Sequence, residues 1–176
     1  MKFISLAILI CCCLNFSIGN SVTIESEYQC KVSNKEVFNG NRVTIGKAVG
    51  NHTDGMTDDD VKYFLIEEAN LTYFPKNLGN IFKNLEMIAI YYSELIDITS
   101  EDLKPFPKLK YLRIWGNPIE VIREDLFIHN RELQVLALYD NEINHIDRKA
   151  LSHLNNLRAV LFNRNKCKFG RNEKNV

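Results

Sequence analysis

The sequence contains few cysteines that a folded domain could use. It has five in total, but Cys11, Cys12 and Cys13 lie in the apolar start of the chain, so that only Cys30 and Cys167 remain beyond it. Small secreted domains with weak cores are usually held by several disulfides. Two cysteines cannot supply such a framework, and the fold must therefore rest on the packing of apolar side chains.

Long apolar runs are also scarce. The longest, residues 3–14, is about a dozen residues long, whereas roughly 20 are needed to cross a bilayer. Lys2 precedes this run, and Ser17 and Gly19 stand at small-residue positions, which predicts a secretory signal at residues 1–19. The sequence carries neither an apolar tail for a lipid anchor nor a retention signal. We therefore expect a secreted, extracellular protein with no transmembrane segment.

An excess of charge of one sign is missing as well. The chain has 22 basic and 22 acidic residues, and loss of the signal with Lys2 leaves 21 against 22. Nucleic-acid binding needs a stripe of basic side chains to meet the phosphates. The balance argues against nucleic acid as the main partner.

Motifs for catalysis and for metal binding are weak. The sequence has no glycine-rich phosphate loop, no nucleophile elbow and no cysteine–histidine pair suited to covalent catalysis. His145 and His153 are eight residues apart, which matches no common zinc spacing. Asp58, Asp59 and Asp60 could attract calcium, but they lack the alternating ligands and the glycine of a calcium loop, so a solvated run of charge is the simpler interpretation. We expect neither an enzyme nor a protein with a cofactor or metal.

The dominant feature of the sequence is a repeat of 24 residues. Apolar residues recur at positions 1, 4, 6, 11 and 14 of each repeat, and asparagine occupies position 9 in the last three. The repeats are residues 61–84, 85–108, 109–132, 133–156 and the partial 157–167. An apolar residue at both positions 4 and 6 predicts a short strand with one buried face. Position 4 is held by Phe64, Ile88, Leu112, Leu136 and Val160, and position 6 by Ile66, Ile90, Ile114, Leu138 and Phe162.

The fixed period also predicts how the strands are arranged. One repeat cannot bury its own apolar edge, so successive strands stack in parallel, and each buried apolar side chain contributes roughly 1.5 to 3 kcal/mol. Asn117, Asn141 and Asn165 follow the strands, where an amide that both donates and accepts can satisfy turn backbone groups. The first two repeats carry Ala69 and Ser93 instead, so we expect less regular turns there.

The chain resembles the leucine-rich-repeat superfamily, in its typical 24-residue class, through the repeats LKYLRIWGNPIEVIREDLFIHN and LQVLALYDNEINHIDRKALSHLN. It resembles the N-terminal cap of small secreted insect proteins of that superfamily through YQCKV and VTIGKAVGNHTDGMTDDDV. The resemblance implies an α/β solenoid, a curved stack with a parallel sheet on its concave face, a mostly irregular or short helical convex side and a β cap at residues 20–60. It also implies extracellular recognition, adhesion or defence, but it names no partner.

Cys30 and Cys167 are too far apart to bond within one molecule. Cys30 lies in the predicted cap and Cys167 in the fifth repeat, about five strand spacings of roughly 4.8 Å away, whereas a disulfide needs Cα atoms within about 7 Å. Related caps carry a second cysteine before the YxC element, and a cysteine after the last asparagine commonly bonds to one further downstream; this sequence has neither partner. Either the Cys167 thiol is buried, or Cys30 and Cys167 form intermolecular disulfides.

Two N-glycosylation sequons lie beyond the predicted signal, at Asn51 and at Asn70. Asn70 occupies position 10, just past the first strand, where a side chain can face solvent at the rim of the sheet. Because the chain is predicted to be exported, we expect glycans at both sites. The alternative is that both sequons occur by chance and stay unmodified.

Positions 3, 5 and 7 of each strand should point away from the core onto the concave face. The only tryptophan, Trp115, then lies mid-sheet between Tyr91 and Tyr139, with Tyr111 and Arg113 on its own strand. Side chains of these types dominate interface energetics, so the cluster predicts a patch that binds a partner. The alternative is a structural ladder, since stacked aromatics also stabilise a sheet by about 0.2 to 1 kcal/mol per pair.

We therefore expect a non-enzymatic module that binds an extracellular protein, and composition alone leaves a glycan open as the ligand. The fifth repeat lacks its return half, and residues 168–176 form a polar tail. An open parallel edge invites pairing. Either the tail covers this edge, or the protein forms a homodimer through it, or the sequence is a shortened relative of a longer protein. The alternative function is accordingly structural, with self-assembly through the edge or through Cys167.

Overall fold

The computed structural model describes residues 21–26, 29–32, 43–49, 52 and 55–166. The first three strands are β1 (Ser21–Ser26), β2 (Gln29–Val32) and β3 (Lys47–Val49). Five further strands begin 24 residues apart; they are β4 (Tyr63–Glu67), β5 (Met87–Tyr91), β6 (Tyr111–Trp115), β8 (Val135–Ala137) and β10 (Ala159–Leu161). The short strands β7 (Val121–Ile122) and β9 (His145–Ile146) pair in parallel as a separate sheet.

Eight of these strands form one sheet in the order β10-β8-β6-β5-β4-β2-β1-β3. Neighbours from β2 to β10 run parallel and in register, so that Leu112 lies opposite Ile88 on one side and Leu136 on the other. β1 runs antiparallel to β2 and parallel to β3. The fold class expected from the repeat is confirmed, because the chain is a solenoid built on one parallel sheet with β strands at its N-terminal side.

The core follows the inner face of this sheet. Side chains at positions 4 and 6 are 0 to 1% exposed in the first four repeats, as period 2 predicts. Phenylalanines from outside the strands pack against them, with ring centroids 6.1 Å apart for Phe64 and Phe82 and 6.2 Å apart for Phe74 and Phe106. In the fifth repeat Val160 is only partly buried, because β10 has a strand neighbour on one side alone within the described sheet.

The side opposite the sheet consists of turns and two single-turn helices, α1 (Leu78–Ile81) and α2 (Ser100–Leu103). Thr99 and Asp102 form a capping box at the start of α2. Consecutive coils approach closely there, because a Cβ atom on Gly79 would lie 2.3 Å from the Cβ of Pro105. Among the described residues, no helix is long and apolar enough to cross a membrane.

The side-chain amide of Asn117 connects two coils. Its Oδ1 accepts hydrogen bonds from the backbone N–H groups of Ser93 at 3.0 Å and Leu95 at 3.1 Å, both in the preceding coil. Its Nδ2 donates to the carbonyls of Ile90 at 3.0 Å and Trp115 at 2.9 Å. The amide therefore satisfies four backbone groups, three of which belong to the neighbouring repeat.

The next two asparagines repeat this arrangement. Asn141 Oδ1 accepts from the backbone N–H of Asn117 at 3.0 Å, and Asn165 Oδ1 accepts from that of Ile143 at 3.0 Å. Both amides also donate to a carbonyl of the preceding coil, at 2.8 Å from Asn141 to Ile114 and at 2.7 Å from Asn165. The predicted role of the position 9 amides is confirmed.

The turns without asparagine share a left-handed residue at position 8 with the others, but the turn of the second repeat is less regular, as expected, because Glu94 has a φ of 60° and no other described repeat has a positive φ at position 10. Ser93 Oγ accepts from the backbone N–H of Ala69 at 3.3 Å and donates to the Tyr91 carbonyl at 2.6 Å. The repeats differ in the number of side-chain hydrogen bonds, whereas the left-handed conformation at position 8 is common to all five. The φ angles there are 53° at Glu68, 46° at Tyr92, 68° at Gly116, 57° at Asp140 and 55° at Arg164.

Replacing Asn117 by Ala should destabilise the protein strongly, because buried backbone groups of two coils lose their partner. Each unpaired buried group costs about 1 to 3 kcal/mol, so we expect the free energy of unfolding to fall by at least about 2 kcal/mol in chemical denaturation. Asn156→Ala is the matched control, since the Asn156 side chain is exposed and donates to the Arg131 carbonyl at 3.2 Å. Its expected cost is under about 0.5 kcal/mol. Equal losses in both variants would contradict a special role for position 9.

Candidate functional site

The concave face, defined as positions 3, 5 and 7 of the five repeats, carries more aromatic than charged side chains. Most of these side chains are partly buried by their neighbours, but Tyr63 is 38% exposed and Leu161 is 46% exposed. Position 3 holds Tyr63, Met87, Tyr111, Val135 and Ala159; position 5 holds Leu65, Ala89, Arg113, Ala137 and Leu161; and position 7 holds Glu67, Tyr91, Trp115, Tyr139 and Asn163.

Three rings of position 7 form a stack across the middle of the sheet. The Trp115 ring centroid lies 4.3 Å from that of Tyr91, with 32° between the planes, and 5.2 Å from that of Tyr139, with 15° between the planes. These distances are in the range of favourable aromatic pairs. The structure therefore brings Tyr91, Trp115 and Tyr139 together. Tyr111 lies at the other end of β6, beside Met87, and has no ring contact within the described chain.

A fourth ring, that of Tyr92, joins the stack, and sequence reasoning missed it. Its centroid lies 4.6 Å from that of Trp115 at 83°, an edge-to-face contact, and the residue is 51% exposed. Tyr92 stands at position 8, outside the three columns. Gly116 is the same position one repeat later, and a Cβ atom there would lie 2.3 Å from Cδ1 of the Tyr92 ring. The sequence does contain a signal for this contact, because a tyrosine at position 8 is followed 24 residues later by a glycine, which leaves room for the ring.

Arg113 lies at the centre of the position 5 column and is exposed. Its neighbours in register are Ala89, 1% exposed, and Ala137, 4% exposed, so the outward-facing column includes two residues that solvent hardly reaches. Alanine has only one carbon beyond the backbone, and the longer neighbouring side chains cover it. Arg113 is thus the one exposed residue of these three.

The hydroxyl of Tyr139 is shifted toward its neutral form. Burial raises the pKa of Tyr139 above its ordinary value of 10.0, Tyr91, Tyr92 and Asp140 raise it further, and Arg113 opposes the shift. A tyrosine hydroxyl is neutral at physiological pH already, and this shift strengthens that preference, so the Tyr139 hydroxyl can donate a hydrogen bond.

The N-terminal end of the concave face is closed by an ion pair. Lys31 lies on β2, in register with Leu65, and its Nζ is 2.8 Å from Oε2 of Glu67. The Lys31 side chain is 9% exposed, whereas that of Glu67 is 37% exposed. This contact neutralises both charges, which leaves the centre of the face as its chemically distinct part.

The three aspartates ahead of the first repeat are engaged with protein groups. Asp58 lies 3.1 Å from His52 Nε2, Asp59 lies 3.4 Å from Lys83 Nζ, and Asp60 completes a capping box at a short 3-10 turn. Within the described residues, no cluster of three or more histidine, cysteine, aspartate or glutamate side chains could hold a metal ion.

The predicted modification sites are only partly within the described residues. Asn70 is exposed just past β4, and Asn51 lies outside the described residues. Cys30 is 0% exposed in the core, opposite Phe64, and Cys167 lies outside the described residues. A bridge to a second molecule through Cys30 would require the core to open around it. The glycans and the bridge stay predictions.

Replacing Gly116 by Ala should displace the Tyr92 ring. The φ of +68° strains a side chain at this position, at a cost of about 1 to 3 kcal/mol, and the new Cβ would meet the ring at 2.3 Å. We expect lower stability in denaturation and an altered emission of Trp115, the only tryptophan. In the double variant Gly116→Ala/Tyr92→Ala the clash is absent, so its cost should be smaller than the sum of the two single costs. Strict additivity would contradict the contact.

Comparison with known proteins identifies the repeat. Residues 107–166 match the family model of the leucine rich repeat, which is 60 of the 176 residues. A stretch of 61 residues is 39% identical to leucine-rich repeat-containing G-protein coupled receptor 5 of Xenopus tropicalis, and receptor 5A of Xenopus laevis matches equally well. Each alignment covers 35% of this chain and 7% of the receptor.

A solved structure resembles most of the chain in its fold. The crystal structure of a TLR13–ssRNA13 complex superposes with a TM-score of 0.60 at 17% sequence identity, over 73% of this chain and 18% of that chain. The chain thus spans a small part of the length of each of these relatives. Taken together, the matches show a leucine-rich repeat over residues 107–166 within a solenoid fold of the same kind.

Proposed function

We propose that this protein is a secreted, non-enzymatic recognition module that binds an extracellular protein through its concave face. The contacts centre on the aromatic patch, which we define as Tyr91, Tyr92, Trp115 and Tyr139. The observation that carries the proposal is the stack around Trp115 in the middle of the sheet, which stays partly exposed. The leucine-rich repeat match supports it, since this architecture commonly presents an extended binding surface.

Exposure supports binding over a purely structural ladder. Among the described residues four large apolar side chains are exposed, and Tyr63, Tyr92 and Leu161 lie on the concave face or at its rim. Exposed apolar area gathered on one face is typical of an interaction site. A ladder that served stability alone would gain nothing from leaving its Tyr92 ring 51% exposed.

The geometry of the stack favours a protein over a sugar as the ligand. Sugar rings pack on aromatic faces, but Tyr91 covers one face of Trp115 and Tyr139 covers the other. A ligand therefore reaches Trp115 more readily at its edge than at its faces, and the neighbouring tyrosines offer hydroxyl groups. Such a surface suits side chains and backbone groups of a protein, which combine apolar contact with hydrogen bonds.

Preorganisation adds to affinity at this patch. The rings are already packed together, and tyrosine and tryptophan have only two side-chain torsions each, so little entropy remains to be lost on binding. Tyr91 and Trp115 lie on β5 and β6, and Tyr92 and Tyr139 follow β5 and β8; each of these three strands has a strand neighbour on both sides.

Alanine variants separate the two roles of the patch. The protein is first screened against purified extracellular domains to find a binding partner. The Kd of that partner is then measured for the wild type and for each variant. Loss of Trp115 and Tyr139 together should weaken binding by at least about 30-fold, as for a hot spot of about 2 kcal/mol. Tyr92→Ala should weaken binding by about tenfold or more while costing under about 1 kcal/mol of stability, because its ring is exposed.

The matched control is Tyr73→Ala, which removes a partly buried tyrosine outside the concave face. This variant should bind the partner with the Kd of the wild type. Kd values are compared only among variants that unfold cooperatively, which shows that they are folded. If the Trp115 and Tyr139 substitutions leave Kd unchanged in a folded protein, the proposed site is wrong. If Tyr92→Ala lowers stability strongly without changing Kd, the ladder interpretation is the better one.

A second candidate function is self-assembly through β10. This strand lies at the edge of the described sheet, Leu161 is 46% exposed, and Leu157 and Phe162 are only partly buried. The corresponding apolar positions of the earlier repeats are buried, so this coil offers surface to a second copy.

Light scattering of purified protein tests this second candidate. The recognition function predicts a monomer at micromolar concentration, for the wild type and for Leu161→Lys alike. A wild-type dimer that Leu161→Lys converts to a monomer would favour assembly, because a lysine blocks pairing at a strand edge. Non-reducing electrophoresis then shows whether a disulfide contributes.

A further inference from the structure

The position 5 column places one long charged side chain between two small ones. Ala89, Arg113 and Ala137 are opposite one another on β5, β6 and β8. Adjacent strands are about 4.8 Å apart, so a large residue at either alanine would crowd the guanidinium. Arg113 is exposed, whereas Ala89 and Ala137 are covered, so a ligand on the concave face meets the arginine at this level of the sheet.

Arg113 forms no ion pair with any acidic side chain of the described residues. The other charged side chain of the concave columns, that of Glu67, pairs with Lys31 of β2 at 2.8 Å. Arg113 takes part in none of the ion pairs among the described residues, although cations elsewhere on the coils pair with acids of the preceding repeat, such as Lys110 with Glu86 at 2.7 Å. Within positions 3, 5 and 7 of the five repeats, all of them described, Arg113 is therefore the one cation, and it has no ion-pair partner.

The unpaired charge stands beside the aromatic patch. Arg113 and Trp115 are two residues apart on β6, so both side chains leave the same face. Arg113 also acts electrostatically on the hydroxyl of Tyr139 one strand away. A ligand that covers the patch would cover the guanidinium too, and it would remove water from around the charge. A charge that loses water on binding needs an opposite charge in the partner.

We propose that the partner is an acidic protein segment, which sets an aspartate or glutamate against Arg113 and an adjacent aromatic or apolar side chain against the aromatic patch. This inference rests on the proposed function and specifies its partner. The guanidinium presents a planar fork of N–H donors that matches both oxygens of a carboxylate, and such paired, charge-assisted hydrogen bonds are among the strongest in proteins.

A single cation suits a carboxylate better than a nucleic acid. Single-strand binding combines stacked bases with a groove of several basic side chains along the backbone. Positions 3, 5 and 7 of the five described repeats offer Arg113 as their single cation, and the nearby Lys31 on β2 is paired with Glu67 and nearly buried. The faces of Trp115, on which a base would stack, are occupied by Tyr91 and Tyr139.

Peptide selection tests the chemistry without knowledge of the natural partner. Purified protein is panned against a phage-displayed library of short random peptides, with Trp115→Ala/Tyr139→Ala used for counter-selection. We expect the selected peptides to share an acidic residue beside an aromatic or apolar one. A synthetic selected peptide should bind Arg113→Glu at least about tenfold more weakly than wild type. A peptide in which lysine replaces the acidic residue should bind Arg113→Glu again, because both charges of the pair are then reversed.

The matched control is Arg148→Glu, which makes the same charge change at an exposed arginine outside the strands. It should leave the Kd of the peptide unchanged at the same ionic strength. Arg113→Lys should bind with intermediate affinity, since lysine keeps the charge but loses the forked geometry.

The outcomes distinguish this inference from the function on which it rests. Peptides that need Trp115 and Tyr139 but bind Arg113→Glu as well as wild type would overturn the acidic partner and leave the recognition function in place. If neither peptides nor extracellular domains depend on Trp115 and Tyr139, both proposals fail. If a short single-stranded RNA binds more tightly than the peptides and loses affinity in Arg113→Glu, the partner is a nucleic acid and the inference is wrong.

Discussion

The amide ladder at position 9 is the interaction on which the rest of the structure depends. Each parallel strand must turn out of the sheet, and this turn would leave backbone groups buried without partners. Asn117, Asn141 and Asn165 supply those partners across coils, and Ser93 supplies two of them with a hydroxyl. Because positions 7 and 8 directly precede the ladder, the same hydrogen bonds fix the backbone that carries the aromatic patch.

The period of 24 residues was enough to predict the fold and the columns of the concave face. Burial at positions 4 and 6, the parallel register and the juxtaposition of Tyr91, Trp115 and Tyr139 all follow from stacking identical coils. Tyr92 could not be found in this way, since its position 8 belongs to the turn. Its ring reaches Trp115 because the next coil has a glycine at the same position, and this depends on one pair of residues rather than on the period.

Other departures from the pattern have the same origin. Asn130 stands at position 22, where three other repeats have an apolar residue, and is fully buried; its Nδ2 donates to the carbonyls of Leu103 at 3.0 Å and Phe106 at 2.9 Å. The burial of Ala89 and Ala137 likewise reflects the size of their neighbours. A repeat predicts the direction in which a side chain points. The contacts of that side chain depend on the residues of the adjacent coils, about 24 positions away.

The position of Trp115 along the stack affects how the surface fluctuates. Among the described strands, β6 has β5 and β4 on one side and β8 and β10 on the other. In a solenoid, stability is close to a sum of nearest-neighbour interfaces, so a coil at the edge opens by losing one interface and an inner coil only by losing two. Among the described coils, local opening should therefore be easier at the strand that carries Leu161 than at β6, and amide hydrogens around Trp115 should be among the slowest of these coils to exchange with solvent.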